Sequence, residues 1–191
     1  MTRNGRMRST YVAGLDIGTS LTCAVIGELS ADAGRAPTLR ILGVGQAKSA
    51  GIRGERITHL EETTASIRAA VEEAELMGGV QVDRLYAGNS GDHDRSWSST
   101  GVVAVQDDEI TPGDVARVHE VARAVPLPPD TVMLHAIPVE YIVDHQGGIK
   151  DPVGMSGTRL ETEVHLVTCS VSAADNVKKA VTKAGYGIQE L

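Results

Sequence analysis

The sequence predicts a mixed α/β fold interrupted by an inserted α+β block. Amphipathic helical stretches at residues 58–78 and 172–185 stand among short apolar strand-like runs, and the composition turns polar over residues 88–100 before the pattern resumes. With 191 residues and 41% apolar content the chain can bury a core, so one domain or two small ones is expected.

Tyr11 to Asp16 (YVAGLD) and Leu21 to Leu29 (LTCAVIGEL) bracket a Gly-Thr-Ser turn and read as a hairpin. Thr38 to Gln46 (TLRILGVGQ) adds a third strand. A helix follows, with Thr58 and Glu61 at capping-box spacing, Leu60, Thr64, Ile67, Val71 and Ala74 on one face, and Gly78-Gly79 as its stop. Val82 to Ala87 (VDRLYA) is a short strand leading into the polar loop Gly88 to Thr100, where a subdomain boundary is expected.

Beyond the boundary come a strand at Gly101 to Val105 and a helix opened by Thr111-Pro112, with Val115, Val118, Ala122 and Val125 on one face and Pro126 ending it. Strands at Thr131 to Ile137, Val139 to His145 and Glu163 to Ser170 complete a β-α-β-β-β block of about 80 residues, a small sheet backed by one helix. Arg159, Glu161 and Glu163 alternate at strand period, forming either a solvated face or a protein-contact edge. Ser172 and Asp175 then open a helix with Val177, Ala180, Val181 and Ala184 on its apolar face; Gly185 ends it, and another strand begins as the chain stops.

Charge narrows the partners. Of 18 basic residues, Arg3, Arg6 and Arg8 lie in a tail without acids, so 15 basic residues face 25 acidic ones from Tyr11 onward and the body carries about −10. Such a body lacks the positive field that non-specific nucleic-acid binding requires. The basic tail, residues 1–10, reads as disordered, with contact to anionic lipid or RNA as the alternative. No apolar stretch follows those arginines and no window approaches the ~18 apolar residues of a membrane span, so the chain reads as soluble and unexported. Cys23 and Cys169 lie in apolar runs, as buried reduced thiols do. The histidines at 59, 93, 119, 135, 145 and 165 are scattered; the tightest polar cluster, Asp92-His93-Asp94, has no matching ligand triplet, and no metal is assigned to it.

The sharpest chemical signal is Leu15-Asp16-Ile17-Gly18-Thr19-Ser20, a carboxylate at a strand end followed by a tight turn rich in backbone donors. Gly18 permits positive φ and close backbone approach, the amides and hydroxyls of Thr19 and Ser20 can point at terminal phosphates, and Asp16 can hold magnesium through water. On its own, a D-x-G-[ST] turn is also an ordinary glycine-centred hairpin. His135, Glu140 and His165 sit in a strand-rich block and read as structural or contact residues, so no catalytic residue is assigned.

Context favours the phosphate reading. The hairpin near the N-terminus resembles the first phosphate loop of the actin, heat-shock-70 and sugar-kinase superfamily. Within it, Tyr11 to Leu191 resembles the FtsA family, through Ala70-Val71-Glu72-Glu73-Ala74-Glu75-Leu76-Met77, His135-Ala136-Ile137-Pro138-Val139-Glu140-Tyr141 and Gly148-Ile149-Lys150-Asp151-Pro152-Val153-Gly154-Met155-Ser156-Gly157. The resemblance implies an actin-like (ribonuclease-H-like) ATPase subdomain, incomplete here. Residues 11–88 and 171–191 would form subdomain 1A, and residues 89–170 the inserted subdomain 1C. It further implies ATP and Mg2+ held by Asp16, Gly18, Thr19 and Ser20 in the full-length protein, with slow hydrolysis or none.

Two departures stand out. FtsA commonly has Lys where this chain has Leu21, and a second Thr where Ser20 stands. The second phosphate loop, the adenosine-binding glycines and the C-terminal membrane-binding helix of the family all lie beyond Leu191, so the chain reads as a fragment. The resemblance implies a cell-division adaptor that self-associates at the cytoplasmic face of the cell membrane, meets FtsZ through the downstream part, and meets later division proteins through subdomain 1C, where Arg159 and Glu161 are the candidate contacts. The alternatives are a small-molecule phosphotransferase of the same superfamily, for which no catalytic carboxylate or sugar pocket is evident, and, for this stretch alone, an interaction module.

Overall fold

The computed structural model describes residues 9–31, 36–54, 56–88, 91 and 94–191. Most of the basic tail and Asp92 and His93 of the polar cluster lie outside these residues. The described elements, in chain order, are β1 (Ser9–Ile17), β2 (Leu21–Ser30), β3 (Thr38–Lys48), β4 (Ile52–Arg53), β5 (Arg56–Ile57), α1 (Leu60–Gly78), β6 (Arg84–Ala87), β7 (Arg95–Ala104), α2 (Pro112–Arg123), β8 (Thr131–Val143), β9 (Gln146–Ile149), β10 (Arg159–Ser170), α3 (Val171–Ala184) and β11 (Gly187–Glu190). They fall into two compact units, Met1–Asp92 with Ser172–Leu191, and His93–Val171.

The first unit is a five-stranded sheet in the order β11-β6-β1-β2-β3. β1, β2 and β3 run antiparallel to their neighbours, whereas β1, β6 and β11 are parallel. Alternation sets the faces: Ala13, Leu15, Ala24, Ile26, Leu85 and Ala87 point into one core with Ile67, Ala70, Val71 and Ala74 of α1 and Val177, Ala180, Val181 and Ala184 of α3. The backbones of α1 and β3 touch, because a Cβ at Gly43 would lie 2.1 Å from the Ala74 carbonyl oxygen and one at Gly45 2.0 Å from that of Ala70. Across the helices, Arg68 donates to the terminal carbonyls of α3, at 3.4 Å to Ala184 and 3.1 Å to Lys183, and Lys183 pairs with Glu61.

The cap of α1 differs from the expected one. His59, rather than Thr58, is the N-cap and accepts the Glu62 N–H, while the Thr58 hydroxyl donates to the Gly51 carbonyl at 3.1 Å. The C-cap is Gly79, at φ 65°.

The second unit is an antiparallel sheet in the order β7-β10-β8-β9. α2 packs on one face through Val118 and Ala122, against Leu160, Val164 and Leu166 of β10. A Cβ at Gly101 would lie 2.2 Å from the Val118 carbonyl oxygen, so the helix sits directly on β7. A Thr111–Asp114 capping box with Pro112 in the first turn starts α2. The β8–β9 turn places Asp144 at φ 45° and His145 at φ 74°, and the Asp144 carboxylate accepts the N–H groups of Thr158 and Arg159 and the Thr158 hydroxyl, at 3.0–3.1 Å from Oδ1.

Three boundaries differ from the sequence reading. β7 begins at Arg95, inside the stretch expected to be loop; as an edge strand it tolerates the polar run Arg95–Thr100. The two strands expected at Thr131–Ile137 and Val139–His145 are one strand: Pro138 pairs with Val164 and Glu140 with Glu163, leaving Val139 as a bulge. β10 begins at Arg159 rather than Glu163, paired with β7 from Arg159 and with β8 from Leu160.

Candidate functional site

The C-terminal ends of the parallel strands β1 and β6 lie on one rim of the first sheet, where open α/β sheets place their ligands. Asp16 is exposed at the end of β1. Gly88, just after β6, donates its N–H to Leu15 O at 2.8 Å, and a Cβ at Gly88 would lie 3.6 Å from Asp16 Oδ1, so the two strand ends meet at this carboxylate.

The β1–β2 hairpin closes over Thr19 and Ser20, with the Gly18 N–H donating to Leu21 O at 3.1 Å. Gly18 does not use the positive φ that glycine permits. Glycine is needed there for space: an added Cβ would lie 2.9 Å from the Leu21 carbonyl oxygen. The turn is anchored from β3, because the Ser49 N–H donates to Ser20 O at 3.1 Å and the Ser49 and Thr22 hydroxyls lie 2.9 Å apart. Leu21, directly opposite Lys48, is 42% exposed and does not belong to the core.

Among the described residues, the Asp16 carboxylate, the N–H groups of Thr19 and Ser20 and both their hydroxyls have no protein partner. These are exposed groups, and their types are those a metal-bound phosphate uses: amides and hydroxyls toward the anion, the carboxylate toward a hydrated cation. Asp16, Gly18, Thr19 and Ser20 therefore fit the group that the sequence resemblance implies.

Arg159 and Glu161 lie elsewhere, on the face of the second sheet away from α2. They pair with each other at 3.2 Å, and the Glu161 side chain is only 14% exposed. Their strand is interior, so these residues do not form a sheet edge. Glu140 accepts the Gly148 N–H at 2.7 Å, and His165 stands opposite Ile137 on one side and Ser98 on the other. Among the described residues no group of three His, Cys, Asp or Glu side chains is placed to hold a metal. Cys169 is buried and Cys23 only half-buried, and neither forms a disulfide. No described helix is long and apolar enough to cross a membrane.

Sequence reasoning missed Lys48, Ser49 and Gly88. The apolar pattern of the third strand ends at Gln46, and only the pairing with β2 carries it to Lys48.

Comparison with known proteins gives this site a context. A family model described as "SHS2 domain inserted in FTSA" matches residues 91–168. Cell division protein FtsA of Pseudomonas aeruginosa is 39% identical over 180 residues, 94% of this chain and 42% of that protein. The FtsA of Neisseria meningitidis is 42% identical over 175 residues, 92% of this chain and 41% of that protein. The chain thus spans about two fifths of the length of the curated relatives it matches. Among solved structures, the PilM-PilN type IV pilus biogenesis complex shares the fold, with a TM-score of 0.60 at 16% identity, over 94% of this chain and 46% of that one. The fold is mixed α/β of the actin-like type with an inserted SHS2 subdomain. The chain belongs to the FtsA family of cell division proteins and corresponds to its N-terminal ~40%, including the SHS2 domain inserted in that family.

Proposed function

We propose that this chain is the nucleotide-facing N-terminal part of an adaptor that binds ATP with magnesium, self-assembles, and helps to assemble and anchor the division ring at the cytoplasmic face of the membrane. The observation that carries the nucleotide reading is the set of unpartnered polar groups on the β1–β2 hairpin, at the strand-end rim of an FtsA-family sheet. Magnesium would supply charge neutralisation of the phosphates. Asp16 would hold its water shell, Gly18 would let the turn close, and Thr19 and Ser20 would donate to the phosphate oxygens. FtsZ and the membrane would be met by segments downstream of this chain.

The test is calorimetry on the full-length protein. Asp16→Ala and Gly18→Val should each weaken MgATP binding at least about tenfold. Unchanged affinity in both variants refutes the site.

For the chain by itself, association through the SHS2 unit is the second reading. Among the described residues β9 pairs with β8 at Tyr141 and Val143, so the stretch from Thr131 to Glu140 has a strand neighbour on one side, and Ile137 and Val139 there are 52% and 45% exposed. Recruitment of later division proteins would use this unit, with Arg159 and Glu161 on the open face. Single charge reversals at Arg159 or Glu161 should impair self-association or recruitment in sedimentation and two-hybrid assays, whereas exchanging the two residues preserves their ion pair. Single reversals that behave like wild type remove this surface.

A further inference from the structure

The hairpin proposed to cradle phosphate contributes a carboxylate and no cation, for neither β1 nor β2 contains a basic residue. A polyphosphate held by these amides and hydroxyls beside Asp16 would have magnesium as a counter-charge but no cationic side chain, the direct charged contact that phosphate sites commonly add. The five strands of this sheet contain three basic residues, Arg40, Lys48 and Arg84. Two lie at the opposite end and are engaged: Arg40 binds Glu28 at 2.6 Å, and Arg84 donates to Gln189 at 3.4 Å.

Lys48 differs in place and in state. The register sets it directly across from Leu21, the first residue after the turn, and sets Asp16 across from Cys23 and Cys23 across from Gln46. Facing residues share a side and alternate residues return to it, so Asp16, Leu21 and Lys48 project from the same face of the rim. The Lys48 main chain is fixed on both sides: its carbonyl accepts the Ser66 hydroxyl at 3.2 Å, and the next residue, Ser49, is bonded to Ser20 of the turn itself. The side chain is exposed, and its ammonium has no hydrogen bond or ion pair among the described residues.

We infer that Lys48 is the phosphate-binding cation of this site, reaching over Leu21 from β3 to the anion seated on the Thr19–Ser20 turn. Cross-strand Cβ atoms lie about 5 Å apart, well within the length of a lysine side chain. The charge that the hairpin does not supply thus comes from the neighbouring strand, locked to the turn by Ser49. This inference rests on the hairpin reading above.

The experiment is calorimetry of MgATP and MgADP with the full-length protein and its variants. Lys48→Gln should weaken binding about tenfold, Lys48→Glu more, and Lys48→Arg by less than about threefold. Leu21→Lys in the Lys48→Gln background should recover most of the loss, because it returns a cation to the same face one strand away. Thermal unfolding should be essentially unchanged in all Lys48 variants, since the exposed ammonium makes no hydrogen bond or ion pair among the described residues. If Lys48→Gln and Lys48→Glu bind like wild type while Asp16→Ala does not, the role of Lys48 is overturned and the hairpin reading stands. If Asp16→Ala also binds like wild type, both fall.

Discussion

The Glu73 carboxylate on α1 accepts the backbone N–H of Gln46 on β3 at 2.7 Å. A helix side chain here occupies a donor of the outermost strand, and the Met77 sulfur lies 3.3 Å from the Val44 nitrogen one turn further along. Both occupy positions that an incoming strand would use. Glu73→Ala should cost about 0.5–1 kcal/mol once the higher helix propensity of alanine is allowed for. It should also raise the tendency of the chain to associate through β3. Urea unfolding measures the first effect and sedimentation velocity the second; an unchanged monomer fraction would mean that Glu73 does not guard the edge.

Gly45→Ala should be far costlier than an exposed glycine substitution. Its Cβ would sit 2.0 Å from the Ala70 carbonyl oxygen and 2.5 Å from the Ala74 nitrogen, both backbone atoms of a packed helix. α1 must move away from β3, and overpacking of this kind costs about 1–3 kcal/mol. Gly54→Ala, with nothing within 4 Å of its Cβ but φ at 51°, is the control that isolates backbone strain from crowding. Thermal midpoints that fall equally in both variants would show that the helix–sheet contact yields.

The Asp144 carboxyl is held below its ordinary value of 3.8, first by the Thr158 N–H, then by the Thr158 hydroxyl, the Arg159 N–H and the charge of His145. A carboxyl depressed in the folded state stabilises the fold above its unfolded-state pKa, and that contribution disappears as pH falls through the folded-state value. Asn accepts the same left-handed backbone, so Asp144→Asn removes the charge without adding strain at φ 45°. The variant should melt below wild type near neutral pH, and the gap should close as pH falls below about 4. A gap independent of pH would assign the effect to geometry rather than charge.

The helices were legible because their apolar residues recur at helical spacing: Ile67, Val71 and Ala74 are buried as the pattern demands. The helix start was not. Thr58 and His59 are adjacent polar residues, and the choice between them was made by the Gly51 carbonyl, a tertiary partner that takes the Thr58 hydroxyl. β7 was hidden for a similar reason, since Arg95–Thr100 has no apolar alternation and becomes a strand by pairing with β10.

In the candidate site, Asp16, Gly18, Thr19 and Ser20 are neighbours in sequence and could be read together. Lys48 and Ser49 could not, because their register on β2 includes an irregularity: Ile26 faces Gly43 while Gly27 faces Ile41, so Leu42 is an extra residue. Without that extra residue the strand end would be offset by one position and Lys48 would point to the other face.

Arg95 and Thr168 stand opposite each other on β7 and β10, and the Thr168 hydroxyl donates to Arg95 O at 3.3 Å. The chain therefore enters and leaves the SHS2 unit through points about 5 Å apart. That makes the unit a cassette. Excising it leaves a gap that a few residues can span at the small entropic cost of a short loop, and splicing it into a surface loop of another protein stretches neither partner.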